Sequence, residues 1–176
     1  MPFTPFHMGP GIMVKALTGH YFSLTVFGFS QVFIDLEPLV RILRGDLVIH
    51  GFSHTYVGAL IIALLSVLAG KPFCQWILNV WNQLTGFKLL QWLRIQASIS
   101  WFAAATGASV GTFSHVLLDS IMHSDMHPFS PFNYENGLLN LMPAGWLYML
   151  CAVLGVFGVI VFTVVTLWNK WSIQIE

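Results

Sequence analysis

The sequence predicts an all-α, polytopic membrane protein that folds as a single membrane-embedded helical domain over residues 1–176. Apolar residues make up 56% of the chain and charged residues only 8%, and the mean hydropathy is +0.75. Soluble domains are far less apolar. Long uncharged segments with aromatic and basic residues at their ends are typical of membrane-spanning helices. A chain of this length has room for a few such helices and for no second soluble domain.

The charge and cysteine counts exclude several classes of protein. Seven Lys and Arg residues balance seven Asp and Glu residues, so no basic surface is expected to bind nucleic acid. Cys74 and Cys151 lie far apart without a metal-binding spacing, which predicts neither a thiolate site nor a disulfide. Seven histidines in so apolar a chain are the feature that needs a functional explanation.

Three segments are predicted to span the membrane. The clearest is 144–167, which is uncharged and has aromatic residues at both ends. A second runs from about 51 to 70, where Lys71-Pro72 is expected to end the helix. A third runs from 95 to about 122 and is rich in small residues at 103–111, which allows another helix to approach closely.

Two further regions are predicted to be helical. Residues 73–93 place tryptophans and basic residues among aliphatic ones, which suggests one or two helices lying at the interface. Residues 9–34 are either one span or a helical hairpin that turns near Gly19. We favour the hairpin, because Thr18-Gly19-His20 suits a turn better than a helix centre.

Alternation of helix direction predicts which polar residues share a side of the membrane. One side receives Asp35, Glu37, Arg41, Arg44, Asp46, His50, His54, His115, Asp119, His123, Asp125 and His127. The other side receives Lys71, Lys88, Arg94 and Lys170. Almost every candidate ligand is therefore expected on the first side. His7 joins that side only if residues 9–34 form a hairpin.

Two pairs of residues have the spacing of metal ligands on a helix. His115 and Asp119 are four residues apart, and so are His50 and His54. This spacing places His115 and Asp119 on one helix face, whereas Gly51 weakens the same expectation for His50 and His54. Imidazole and carboxylate ligands suit zinc and, with more oxygen ligands, manganese or iron. We therefore predict a divalent metal cofactor, with zinc the first choice.

Several short motifs resemble those of a known family. MPFTPFHMGPG, FIDLEP, HGFSHT, GTFSHVLLDS and HPFSPF occur in this order, which resembles the membrane-bound, metal-dependent hydrolases also described as LexA-binding, inner-membrane-associated hydrolases. The resemblance covers the chain to about Phe132 and implies His7, Asp35, His54, His115 and Asp119 as metal ligands. Where the family pattern has Arg and Asp, this chain has His50 and Glu37. A more distant likeness to zinc-dependent phospholipase C suggests phosphoester chemistry.

The predicted function is a membrane-embedded hydrolase that uses a metal-activated water on an amphiphilic substrate such as a lipid. Glu37 is the expected base or orienting carboxylate, and His50 is either an extra ligand or a substitute polar group. His123, Asp125 and His127 are expected in a solvated loop, with substrate or second-layer contacts as the alternative. A metal-binding or transport protein without turnover, and a haem protein using His54 and His115, are the rival interpretations.

The basic residues predict an orientation in the cell membrane. Lys71, Lys88, Arg94 and Lys170 outnumber Arg41 and Arg44, so the lysine-bearing side is expected in the cytoplasm. The site would then lie on the extracytoplasmic side of the inner membrane.

Overall fold

The computed structural model describes residues 5–86 and 94–173, and within them it contains helices and no strands. Three short 3-10 turns, Pro5–His7, Gly19–Tyr21 and Phe52–His54, accompany the longer helices. The α-helices are α1 (Met8–Thr18), α2 (Leu24–Ile34), α3 (Leu36–Arg44), α4 (Tyr56–Leu65), α5 (Lys71–Leu84), α6 (Trp101–Met122) and α7 (Ala144–Ile173). The predicted all-α class is confirmed.

The N-terminal hairpin is confirmed, with α1 and α2 as its two arms. Gly19 has φ +56°, a conformation that side-chain-bearing residues rarely adopt. The Ser23 hydroxyl then accepts a hydrogen bond from the Val26 amide and begins α2. Each arm has 11 residues and is therefore about 16 Å long, too short to cross a bilayer alone.

Helices α4 and α5 form one continuous helix, which corrects two predictions. Tyr56–Leu84 is 29 residues long and apolar enough to cross a membrane, so Lys71-Pro72 does not end it. The turn before the proline, Ser66–Gly70, is a π-helix, whose wider spacing accommodates a residue without an amide hydrogen. Residues 73–84 thus belong to this helix and not to an interfacial one. Lys88 and Trp92, the remainder of that prediction, lie outside the described residues.

Helix α7 confirms that the clearest predicted span is one long, apolar helix. Ala144–Trp168 is the second helix of the described chain that is long and apolar enough to cross a membrane, and only 11% of its most apolar window is buried. It packs closely on α1: the contact at Gly9 is so tight that an added Cβ would overlap the carbonyl oxygen of Cys151. Most of its remaining apolar surface faces outward.

Helix α6 lies in the centre of the bundle. It begins at Trp101, because the Ser100 hydroxyl caps the Ala103 amide, and not at Ile95 as predicted. Its small residues allow α2 to approach, as expected: a Cβ on Gly111 would overlap the Ser30 hydroxyl. Its polar residues keep it out of the helices apolar enough to span a membrane, so the third span stays a prediction.

The helix bundle has two opposite ends, and different side chains gather at each. At one end α2 and α6 begin side by side, with the Ser23 amide 3.0 Å from the Ala103 carbonyl oxygen. Nearby, Lys71 Nζ lies 4.2 Å from the ring centre of Trp101. Because α2 and α6 run in the same direction, Asp35, His115 and Asp119 arrive together at the other end. There the chain also enters α1 and α4.

Candidate metal centre

Four predicted ligands form one buried group at this end of the bundle. Asp35, His54, His115 and Asp119 each offer a ligand atom, and these atoms lie within 4.8 Å of one another. All four residues are at least nine-tenths buried. The prediction that folding brings residues 80 positions apart into one group is confirmed.

The distances within this group fit a single ion. His115 Nε2 lies 3.2 Å from Asp35 Oδ1 and 3.3 Å from Asp119 Oδ2. His54 Nε2 lies 3.6 Å from the same two oxygens. Ligands held about 2.0–2.1 Å from a tetrahedral zinc ion are about 3.3–3.4 Å apart. The four side chains therefore already surround a space of the right size for a metal ion.

Local structure explains how each ligand reaches the group. Asp35 is the residue between α2 and α3, where the chain changes direction. His54 ends the 3-10 turn that precedes α4. His115 and Asp119 are one turn apart on α6, so both project from the same face. Ligands from three separate segments thus converge on one point.

Gln31, a residue not predicted from the sequence, fixes the orientation of the His115 ring. The Gln31 side-chain amide donates to the Gly111 carbonyl oxygen over 3.0 Å, so its oxygen Oε1 points the other way. That oxygen accepts a hydrogen bond from His115 Nδ1 over 2.5 Å. With a proton held on Nδ1, His115 presents Nε2 to the carboxylates. Ligand histidines in metal sites are held in this way.

His54 is held by the same kind of contact. Its Nδ1 lies 2.9 Å from the Ser53 hydroxyl, which accepts from Nδ1 in the tautomer that leaves a lone pair on Nε2. Among the described residues, Nε2 of His54 and of His115 has no hydrogen-bond partner although both atoms are buried. Buried polar atoms are almost always satisfied. A cation between the carboxylates would satisfy both.

His7 lies beside the group of four, as the hairpin prediction requires. Its side chain is 4% exposed, and its Nε2 is 3.4 Å from Asp119 Oδ1. Neither ring nitrogen has a hydrogen-bond partner in the described chain. Burial lowers the pKa of His7 to about 4, so the imidazole is neutral and can act as a ligand.

Glu37 supports the loop that carries His54 and is not one of the grouped ligands. Its oxygen Oε1 accepts from the Arg41 guanidinium over 2.8 Å and from the Phe52 amide over 3.2 Å. Its oxygen Oε2 accepts from the Ser53 amide over 2.6 Å. Burial opposes ionisation, but these donors hold the pKa of Glu37 below its usual value. The contacts fit the predicted orienting role, whereas a role as base stays a prediction.

His50 belongs to a second group, with His123 and Asp125. His123 and Asp125 were expected in a solvated loop, yet both are half-buried against His50. His127 is exposed, and its Nδ1 lies 2.6 Å from the Tyr134 carbonyl oxygen. That placement agrees with the predicted loop role. His123 and Asp125 are two residues apart and follow Asp119 closely. This spacing was the signal in the sequence that could have identified the second group.

A small cavity reaches the group of four from between α1 and α2. Its volume is about 120 Å³, enough for about four water molecules. His7, Asp35 and His115 lie at its inner surface, and Met8 and Val32 line its apolar walls. Water and a small reacting group can therefore reach the ligands from the side of the bundle.

Comparison with known proteins assigns no relative: no family model, curated protein or solved structure matches the chain. The resemblance to membrane-bound, metal-dependent hydrolases therefore stays a prediction based on short motifs. The geometry of the four grouped ligands by itself indicates a possible metal site.

Proposed function

We propose that the protein is a membrane-embedded hydrolase that uses a divalent metal ion on a phosphoester or other headgroup of an amphiphilic substrate. The observation that supports this most is the arrangement of His54 and His115. Their unpartnered Nε2 atoms face the same two buried carboxylates, Asp35 and Asp119. A polar pair that only stabilised packing would not need three ligand segments to meet at one point.

Charge favours a cation at this position. Two carboxylates are costly in an apolar environment unless a positive charge accompanies them. A protonated imidazole supplies one positive charge, whereas a divalent ion supplies two. The mixed nitrogen and oxygen donor set suits zinc, with manganese or iron as alternatives. When bound, such an ion lowers the pKa of a coordinated water and polarises the oxygen of a scissile group.

The residues around the ion have different roles. Asp35, His54, His115 and Asp119 hold it, with His7 at the accessible edge of the site. Gln31 and Ser53 keep the two ligand imidazoles oriented. Glu37 keeps the loop before α4 in place. His50 lies next to Asp119, with its Nε2 4.0 Å from Oδ2, where it can contact a bound substrate or water.

The two apolar helices support a place in the lipid bilayer. Val153 and Val156 of α7 are 57% and 65% exposed, which is unfavourable in water and favourable in lipid. The site lies at one end of the helices and not at their middle, so it would sit near the headgroups. This depth supports a lipid-like substrate, and the neutral charge gives no reason to invoke nucleic acid.

Orientation is part of the same proposal. Arg41 and Arg44 lie at the site end. Lys15 lies at the opposite end, where its Nζ contacts the Phe22 carbonyl oxygen, and the order of the helices puts Lys88, Arg94 and Lys170 on that side as well. The positive-inside rule then places the site on the extracytoplasmic face of the inner membrane. A reporter fused after Glu176 should be cytoplasmic, and a periplasmic signal would reverse this orientation.

Metal analysis of the detergent-purified protein is the first test. We expect at least one zinc ion per chain after dialysis, and hydrolysis when the protein is screened against phosphomonoester and phosphodiester lipids. A chain without stoichiometric metal would contradict the proposal. Stoichiometric metal without turnover, together with metal flux into proteoliposomes, would instead favour a transporter.

A further inference from the structure

A second group of ligand side chains lies beside the first. His50, His123 and Asp125 each offer a ligand atom, and the three atoms lie within 4.8 Å of one another. His50 is 6% exposed, whereas His123 and Asp125 are half-buried. This second group is therefore nearer the surface than the four fully buried ligands.

Asp125 holds His50 in place through three contacts. Its oxygen Oδ2 lies 3.1 Å from the Ile49 amide and 3.2 Å from the His50 amide. Its oxygen Oδ1 lies 2.8 Å from His50 Nδ1, close to the separation of neighbouring ligands around one ion, about 2.9–3.4 Å. A carboxylate oxygen has two lone pairs, so Asp125 can keep its backbone contacts and still bind a cation.

The two imidazoles of this group lie together. The ring centres of His50 and His123 are 4.4 Å apart. Two imidazoles beside one carboxylate form a three-ligand set, which in zinc enzymes leaves a coordination position open.

His50 also connects the two groups. Its Nδ1 faces Asp125, and its Nε2 lies 4.0 Å from Asp119 Oδ2. The ring centre of His54, a ligand of the first group, is 4.9 Å from that of His50. A single imidazole thus lies between the buried group and the outer group.

We propose that His50, His123 and Asp125 hold a second divalent cation, next to the first and nearer the surface. The proposal rests on the proposed function, because its role is to bind the anionic part of the substrate. A cation with three protein ligands can accept a further oxygen ligand, and a phosphate oxygen is the ligand that such an ion favours. The substrate class is thereby narrowed to phosphoesters.

The test is the number of zinc ions per chain, measured by mass spectrometry after dialysis of the full-length protein in detergent. We expect two ions in the unaltered chain and one in His123→Gln, which removes an outer ligand and leaves the Asp125 contacts intact. His127→Ala removes an exposed histidine of the same loop and should keep two ions.

A second measurement uses inorganic phosphate as the probe. We expect zinc-loaded protein to bind phosphate roughly tenfold more tightly than zinc-loaded His123→Gln, as measured by titration calorimetry. Equal phosphate affinity in the two proteins would contradict the inferred role of the outer ion.

Each metal count has a defined meaning. One ion per chain in both the unaltered protein and His123→Gln would overturn the second site and leave the proposed function intact. An unaltered chain without zinc would overturn both. Two ions in His123→Gln would place the second ion elsewhere, and no ions in it would mean that the two groups are one centre; either result overturns the inference.

Discussion

Helices α6 and α7 are both long, yet they differ in composition and in how much of their surface is buried. Helix α6 has 22 residues, many of them small or polar, and much of it is buried, including His115 and Asp119. Helix α7 has 30 residues, is almost entirely apolar, and exposes most of its side chains. Hydropathy therefore detects the exposed apolar helix α7 and ranks below it α6, the helix that carries two of the candidate ligands.

The difference has a simple physical origin. A helix in contact with lipid needs apolar side chains over most of its surface, because lipid cannot satisfy polar groups. A helix surrounded by other helices can carry histidine and aspartate, since neighbouring protein groups or a bound ion satisfy them. Four changes, in order of decreasing expected effect, test this division.

The largest effect is expected from removing a ligand of α6. His115→Ala should eliminate the zinc ion of the buried group, weakening its binding by roughly a hundredfold or more, since even supporting residues of metal sites contribute 10–100-fold. Phe157→Ala, at a 53% exposed position of α7, is the matched control and should retain all bound zinc. Equal metal contents in the two variants would remove the functional distinction between the helices.

A charge on the lipid-facing surface should act on α7 alone. Val156 lies at the middle of Ala144–Trp168 and is 65% exposed, so Val156→Arg should disfavour insertion by about 2.5–3.5 kcal/mol. Alkaline extraction of membranes would measure this as protein released into the supernatant. Gly137→Arg, in a loop with open space around it, should stay in the membrane fraction. Complete retention of the Val156 variant would argue against a spanning α7.

A smaller effect is expected from disturbing the packing of α6. Gly111→Ala would press its Cβ against the Ser30 hydroxyl, and overpacking of this kind costs about 1–3 kcal/mol. Gly145→Ala at the start of α7 meets open space and should leave the melting temperature nearly unchanged. Thermal unfolding in detergent compares the two, and similar melting temperatures would contradict the close approach of α2 and α6.

The smallest effect is expected from Gln31, which contacts α6 without being a ligand. Gln31→Leu removes the acceptor for His115 Nδ1 and should weaken zinc binding about tenfold, the low end of the effect of residues that support metal ligands. Gln31→Glu keeps an acceptor oxygen and should recover most of the affinity, which a purely structural role would not predict. Competition with a coloured zinc chelator measures both, and unchanged affinity in the leucine variant would refute the orienting role.

Much of the fold could be read from the sequence because its signals are local. The turn at Gly19, the apolar run of α7 and the small residues of α6 each specify structure through neighbouring residues. The prediction that the helix ends at Pro72 was wrong, because the π-helical turn at Ser66–Gly70 accommodates the proline. No pattern in the sequence indicated that turn. The start of α6 was placed early because Ser100, and not an apolar residue, defines it.

In the candidate site too, some residues could be predicted from local sequence patterns and others could not. Ligand spacing on α6 identified His115 and Asp119, and helix direction placed Asp35 and His54 with them. Gln31 was missed, although it stands one helical turn before Asp35, because its role depends on the Gly111 carbonyl oxygen. Glutamine in an apolar helix was the available signal.

Residue types and their order determined by themselves that this chain is helical, strongly apolar and equipped with imidazoles and carboxylates at the ends of its helices. Only the tertiary structure decided which nitrogen of each histidine faces the carboxylates, and that His123 and Asp125 lie against His50. The reason is that protonation and ligand geometry depend on contacts between segments far apart in the chain, which spacing along one helix cannot specify.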